Sequence, residues 1–336
     1  MRALLCCLAA ILPAAAAAQS GSTVSPLRAP TEGWSGEGTE WKGKTAQQWA
    51  ERLADDDVST RWYAAYALGQ LGPKAVAGVE PLTKTLANQS EHEFVRGGTA
   101  WALGRMGPAA ESAVPLLTET LTSKHVSVRR NAAWALGNLG AAAKPAVPGL
   151  LKTLDDEDAT VRVNAAAALW KIDRHAKAIP ALVAVLGRET ESGPCQAATA
   201  LGSLGSDAEP AVPALVDAFR HADADVRRGA ARALGEIGPP AVHALRRALD
   251  DPNVEVRRNA VEALGWMGEP ALPELISALK NAMPPVRRSA ARAIGRLGNA
   301  AKTAEAALVE AVNDPDAEVR DAAAKALGAI RKEQLP

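Results

Sequence analysis

From residue 46 onward, apolar positions recur at intervals of three and four, broken at regular distances by glycine. Between Ser123 and Gly140 the apolar residues are Val128, Ala132, Ala135, Leu136 and Leu139, the stripe of a helix with one buried side. Gly140 predicts the end of that helix as a left-handed C-terminal cap, with Gly72, Gly107, Gly205, Gly238, Gly268 and Gly298 in the same place. Upstream, Ala146 to Leu154 predicts a shorter first helix, with Pro148 near its start, where the missing N–H costs little. Pro81, Pro115, Pro180, Pro213 and Pro273 sit similarly.

The pattern repeats. Aligned on the first glycine of Ala-Leu-Gly-x-Leu/Ile/Met-Gly, copies fall at Gly69, Gly104, Gly137, Trp170 (a substituted copy), Gly202, Gly235, Gly265, Gly295 and Gly328. Nine copies at a period near 33 residues predict a solenoid, in which no unit buries its apolar face alone. The fold class is therefore all-α, an αα-solenoid of about nine helix pairs over residues 45–331, with a C-terminal tail at 332–336. Composition agrees: 48% hydrophobic but only 4% aromatic favours closely packed Ala/Leu helices over β-sandwiches.

The start of the chain reads differently. Met1-Arg2, an apolar run from Ala3 to Ala18 and the Ala16-Ala17-Ala18 boundary predict a signal peptide over 1–18, giving a secreted or periplasmic protein with no membrane span after cleavage. Amino-terminal sequencing of native material is expected to begin at Gln19; a chain still beginning with Met1 or Arg2 would refute export. Residues 19–44, rich in Ser, Gly, Pro and Thr, read as a flexible linker, with Trp34 and Trp41 available to dock on the first repeat. Cys195 is then the single cysteine after the signal, so no intrachain disulfide forms.

One motif in the linker is a decoy. Gly38-Thr39-Glu40-Trp41-Lys42-Gly43-Lys44-Thr45 matches the phosphate-loop pattern G-x4-G-K-T, but no buried strand precedes it and no apolar strand ending in a metal-binding Asp follows. Thr45 with Gln48 reads better as a capping box opening a helix over Ala46–Ala54.

The repeat resembles the HEAT repeat family, in the bacterial HEAT-like form also found in phycobilisome lyase subunits. An Asp before the second helix and an Arg six residues later carry the resemblance: Asp55/Arg61, Asp156/Arg162, Asp251/Arg257 and Asp314/Arg320 match, Ser90/Arg96, Ser123/Arg129 and Asn281/Arg287 replace the Asp, and His221/Arg227 departs further. The fifth copy has Arg188 and Pro194 there and loses both roles. The resemblance implies a structural ladder: the Asp caps the helix and the Arg bridges to the next repeat's carboxylate. It also implies that the solenoid winds as a right-handed αα-superhelix and binds proteins. Two related alternatives are an assembly or lyase-like subunit escorting a cofactor-bearing protein, and a metal-dependent hydroxylase using His-Glu pairs. The second is disfavoured, because His92-Glu93 is the only such dipeptide and lies too early in its repeat. With no zinc spacing and no nucleophile–base constellation, neither cofactor nor metal is expected and the chain reads as non-enzymatic.

What varies between copies points to a surface. The residues seven and three before the aligned glycine, and one after it, share a face of the second helix, expected to be concave. That face carries Trp62, Tyr66, Trp101 and Trp134 in the first three copies, and Arg228, Arg232, Arg258, Trp266, Arg288, Arg292 and Arg296 in the sixth to eighth. Aromatic residues and arginine are enriched at binding hot spots. The bland alternative is a solvated arginine face with the tryptophans packed between helices. Lys+Arg 38 against Asp+Glu 38 supplies no global field for nucleic acid, so the expected partner is a protein with an acidic surface, held on an exported scaffold.

Overall fold

The computed structural model describes residues 39–188 and 193–332. The expected signal peptide, Trp34 with most of the linker, and residues 333–336 of the tail lie outside them. Among the described residues there are eighteen α-helices in nine pairs and one two-stranded hairpin. The chain forms two compact units, dividing between Ala181 and Leu182.

In the first unit, β1 (Glu40–Trp41) and β2 (Lys44–Thr45) lead into α1 (Ala46–Glu51), α2 (Val58–Leu71), α3 (Val79–Ala87), α4 (Glu93–Met106), α5 (Val114–Thr120), α6 (Val126–Leu139), α7 (Val147–Thr153) and α8 (Ala159–Asp173). The second helices α2, α4, α6 and α8 pack side by side, and each also packs on the first helix before it in the chain. The helix α9 (Ala178–Leu186) carries the division. The second unit continues with α10 (Pro194–Ser203), α11 (Val212–Asp217), α12 (Ala224–Ile237), α13 (Val242–Ala248), α14 (Val254–Met267), α15 (Leu272–Ala278), α16 (Pro284–Leu297), α17 (Glu305–Ala311) and α18 (Ala317–Lys332), where α10, α12, α14, α16 and α18 form the corresponding row. The result is an all-α solenoid, as the repeat predicts.

Small side chains permit the close stacking. Ala100, Ala102, Leu103, Ala132, Ala135 and Leu136 are fully buried where α4 meets α6. The aligned glycine is needed for the approach itself: a Cβ on Gly104 would lie 2.6 Å from the Cα of Ala135 and 2.8 Å from the Trp134 ring. The terminating glycines do turn to positive φ, but Gly140 sits at φ 60°, ψ −135°, outside the left-handed helical region that was expected. Such a glycine redirects the chain into a 3-10 helix, Gly140–Ala146, before the next first helix. The substituted fourth copy lacks that glycine, and there Arg174 takes the left-handed conformation, φ 54° and ψ 42°, at a side-chain residue's higher cost.

The linker's last residues are ordered into the fold rather than free. The hairpin Glu40–Thr45 docks Trp41, 3% exposed, against Trp49, Tyr63 and Tyr66, and the Trp49 indole N–H donates to the Trp41 carbonyl at 3.0 Å. These rings cap the first helix pair. The phosphate-loop look-alike is used up in this cap. Lys44 lies over the Trp49 ring, and Thr45 and Gln48 form the expected capping box. The helix it opens ends at Glu51, with a 3-10 turn to Ala54.

The ladder is built differently from the sequence expectation. The Asp of each pair does not cap the second helix. The caps are Asp57, Asp158, Asp223 and Asn253, two residues later. The earlier side chain instead accepts the amide two residues on, as Asp55 does from Asp57, Asp156 from Asp158, Asp251 from Asn253 and Asp314 from Asp316. His221 does the same through Nδ1 to Asp223, and Asn281 through Oδ1 to Met283, which explains why those substitutions are tolerated. Within a repeat the arginine reads backbone, not carboxylate. Nη1 of Arg61, Arg129, Arg162, Arg227, Arg257, Arg287 and Arg320 donates to the carbonyls six and five residues earlier.

Bridging to the next repeat occurs where an acid is in reach. Arg129 forks onto Asp156 at 2.7 and 2.9 Å, Arg287 onto Asp314 at 2.7 and 2.7 Å, and Arg61 onto Glu91 at 2.8 and 2.8 Å. Asp251 departs, its carboxylate pairing with Arg220 instead of Arg227. Hydrogen bonds from Arg287 hold the Asp314 carboxyl below the usual carboxylate range. Its folded-state pKa is depressed, so this rung contributes fully above the unfolded value and is lost as pH falls through the lowered one.

Candidate functional site

In the first unit, the aromatic stripe becomes a stack. Trp62 lies against Tyr66 with ring centroids 5.6 Å apart, Tyr66 against Trp101 at 5.4 Å, and Trp101 against Trp134 at 6.5 Å, all near-parallel. The spacing follows from the fold: one repeat position on α2, α4 and α6 is brought into register when these helices pack side by side. Trp62 is 3% exposed and is therefore a packing residue, contrary to the expectation that it contacts a partner. Tyr66, Trp101 and Trp134 are half-buried, and the Trp101 indole nitrogen is buried without an acceptor. Burial raises the Tyr66 hydroxyl pKa above its ordinary value. For this part of the stripe, packing between helices accounts for most of each ring's surface.

The second unit gathers the arginines around a groove of about 280 Å³. Arg228 from α12, Arg258 from α14, and Arg292 and Arg296 from α16 line it, with Arg227, Asn259, Glu262 and Ser289 between them. Four of the expected residues thus meet in one place. Arg228 and Arg258 are steadied by acids of their own helices, Asp225 and Glu255, while Arg292 and Arg296 have no carboxylate partner among the described residues. Arg288 differs: half-buried and paired with Glu318, it belongs to the packing between α16 and α18. Arg232 pairs with Glu236 and lies over the face of Trp266, which at 56% exposure is the most open aromatic side chain among the described residues.

Asn259 was missed. It is 2% exposed, and its Nδ2 reaches no acceptor although it lines the groove. Asn131 and Asn164, at the same repeat position, donate to the carbonyls of Gly97 and Arg130 in the preceding repeat. The signal was available, since all three precede the aligned position by six residues.

The remaining candidates have structural partners. His92, His175 and His221 each accept a backbone amide through Nδ1, and His125 Nδ1 lies 2.5 Å from the Glu93 carboxylate. Cys195 is half-buried, with Sγ 3.9 Å from the Asp225 carbonyl. Among the described residues no group of three or more His, Cys, Asp or Glu side chains is arranged to hold a metal ion, and no helix is long and apolar enough to cross a membrane.

Comparison with known proteins follows the repeat. HEAT repeats match residues 46–137, 147–228, 212–282 and 272–336, and the PBS lyase HEAT-like repeat matches 128–156. No curated protein matches the chain. Among solved structures, Kap95p in its complex with RanGDP is similar in fold, with TM-score 0.55 at 14% identity over 85% of this chain and 44% of that one. The CpcE–CpcF complex of phycocyanin lyase from Nostoc sp. matches at 24% identity and TM-score 0.37, covering 86% of this chain and 99% of that one. An engineered protein matches at 26% identity and TM-score 0.40, covering 85% and 88%. With the family's repeats spanning nearly all of the described helices, this chain belongs to the HEAT repeat family.

Proposed function

We propose that this chain is a non-enzymatic protein-binding scaffold, exported as its first residues predict, whose second unit holds an acidic segment of a partner protein. The arginine groove carries this reading. Among the described residues, two guanidinium groups without a carboxylate, Arg292 and Arg296, stand beside two that are steadied by Asp225 and Glu255, and an unpaired buried amide, Asn259, adds a directed donor. Charge-assisted bonds from such a cluster favour carboxylates, and the exposed Trp266 offers an apolar contact beside it. A chain with equal numbers of basic and acidic residues does not attract nucleic acid globally, so selection falls to the local groove.

A labelled Glu-rich peptide is the direct probe, measured against a Gln-rich control at two salt concentrations. Binding should weaken with salt, and Arg292→Glu with Arg296→Glu should reduce it by roughly tenfold or more, while Trp266→Ala costs about 1–2 kcal/mol. Equal binding of the two peptides, or wild-type binding by the folded double variant, would remove the groove from the function.

A further inference from the structure

One ladder arginine of the first unit, Arg96, has no acid beside it among the described residues. Arg96, on α4, is only 5% exposed, yet its one hydrogen bond runs from Nε to the Leu86 carbonyl at 3.2 Å. It does not clasp the carbonyls six and five residues earlier, as the other ladder arginines do. Arg129 and Arg287 each fork onto an aspartate 27 residues further on. At the same distance from Arg96 stands Ser123, whose hydroxyl carries no charge.

Arg96 and Ser123 line one cavity of about 380 Å³, together with Gln89, Thr122, Lys124 and Glu119. A buried guanidinium is costly unless an anion or several acceptors face it, and one backbone carbonyl covers little of that need. The cavity also supplies the donors a carboxylate uses: the guanidinium, the Lys124 ammonium, the Ser123 hydroxyl and the Gln89 amide, whereas the Thr122 hydroxyl already donates to the Glu119 carbonyl. Glu119 forms no ion pair with Arg96 but subtracts one charge, leaving a formal excess of one positive charge among the lining groups. That balance suits a monoanion better than a phosphate dianion.

We propose that this cavity is a carboxylate-binding site, in which an acid from outside the chain takes the place that Asp156 takes for Arg129. The site is independent of the arginine groove, which lies in the other unit. The cavity is larger than a carboxylate alone, so it admits either a small free acid or the side chain of an aspartate carried by a peptide.

The test uses the full chain, with acetate in one arm and a capped peptide bearing a single aspartate in the other. Thermal unfolding midpoints are followed at constant ionic strength, with chloride as the balancing salt. A saturable rise in midpoint is expected, and Arg96→Gln should weaken the apparent affinity by roughly tenfold or more. Ser123→Asp supplies the rung's acid from within the chain. It should raise the midpoint without ligand by roughly 2–4 °C and abolish the response to both probes. Saturation by the peptide alone identifies a partner's side chain as the source, and saturation by acetate identifies a free acid; both support the site. No response of the wild type to either probe overturns it, as does an undiminished response in Ser123→Asp.

Discussion

Arg129→Ala is expected to destabilise the protein by about 2–4 kcal/mol, and Arg320→Ala by under about 1 kcal/mol. The two arginines share a repeat position and make the same pair of bonds to backbone carbonyls, at Ser123 and Lys124 for one and Asp314 and Pro315 for the other. Their surroundings separate them. Arg129 is 6% exposed and forks onto Asp156, whose side chain is 10% exposed. Truncation leaves that carboxylate facing a cavity with its strongest donor gone. Arg320 is exposed and bridges to no acid among the described residues, so water replaces what it loses. Urea unfolding midpoints measured in parallel decide the matter. Equal shifts would mean that the fork across repeats contributes nothing beyond the carbonyl contacts.

Gly104→Ala is expected to cost about 1–3 kcal/mol net, although alanine is the better helix former by about 1 kcal/mol. The added Cβ would meet the Cα of Ala135 at 2.6 Å, and backbone cannot step aside without parting α4 from α6. Gly97, in the same helix, gives the opposite result. There a Cβ meets nothing closer than the Asn131 amide at 3.4 Å, an ordinary contact. Gly97→Ala should therefore stabilise by up to about 1 kcal/mol through helix propensity. Thermal melts of the two variants should move in opposite directions. A common direction would show that propensity, not the interhelix distance, sets the glycine at position 104.

The difference between those two glycines shows how far sequence reading reaches. Gly104 recurs at the aligned position and Gly97 does not, so repetition alone marks the one that packing requires. Repetition likewise located the arginines that meet in the groove, because a shared repeat position becomes a shared face once second helices stack. It did not separate Arg292 and Arg296 from Arg288, which is claimed by Glu318 on α18. Nor did it show that Trp62 would be buried while Trp266 stays open, since both satisfy the same amphipathic pattern and differ only in what lies over them.

By itself, then, the sequence determined the elements and their order: helix periodicity is local, glycine stops are local, and nine copies of one pattern leave stacking as the way to bury them. It also determined the capping box at Thr45, because that contact closes within three residues. Tertiary structure alone decided which groups are satisfied. Whether Asp156 answers Arg129, whether Asp251 answers Arg220 in place of Arg227, and whether Arg96 meets an acid at all depend on side chains some 27 to 31 residues apart. Those partners are chosen by the distance between neighbouring helices and the direction each side chain leaves its own, quantities that no single repeat encodes.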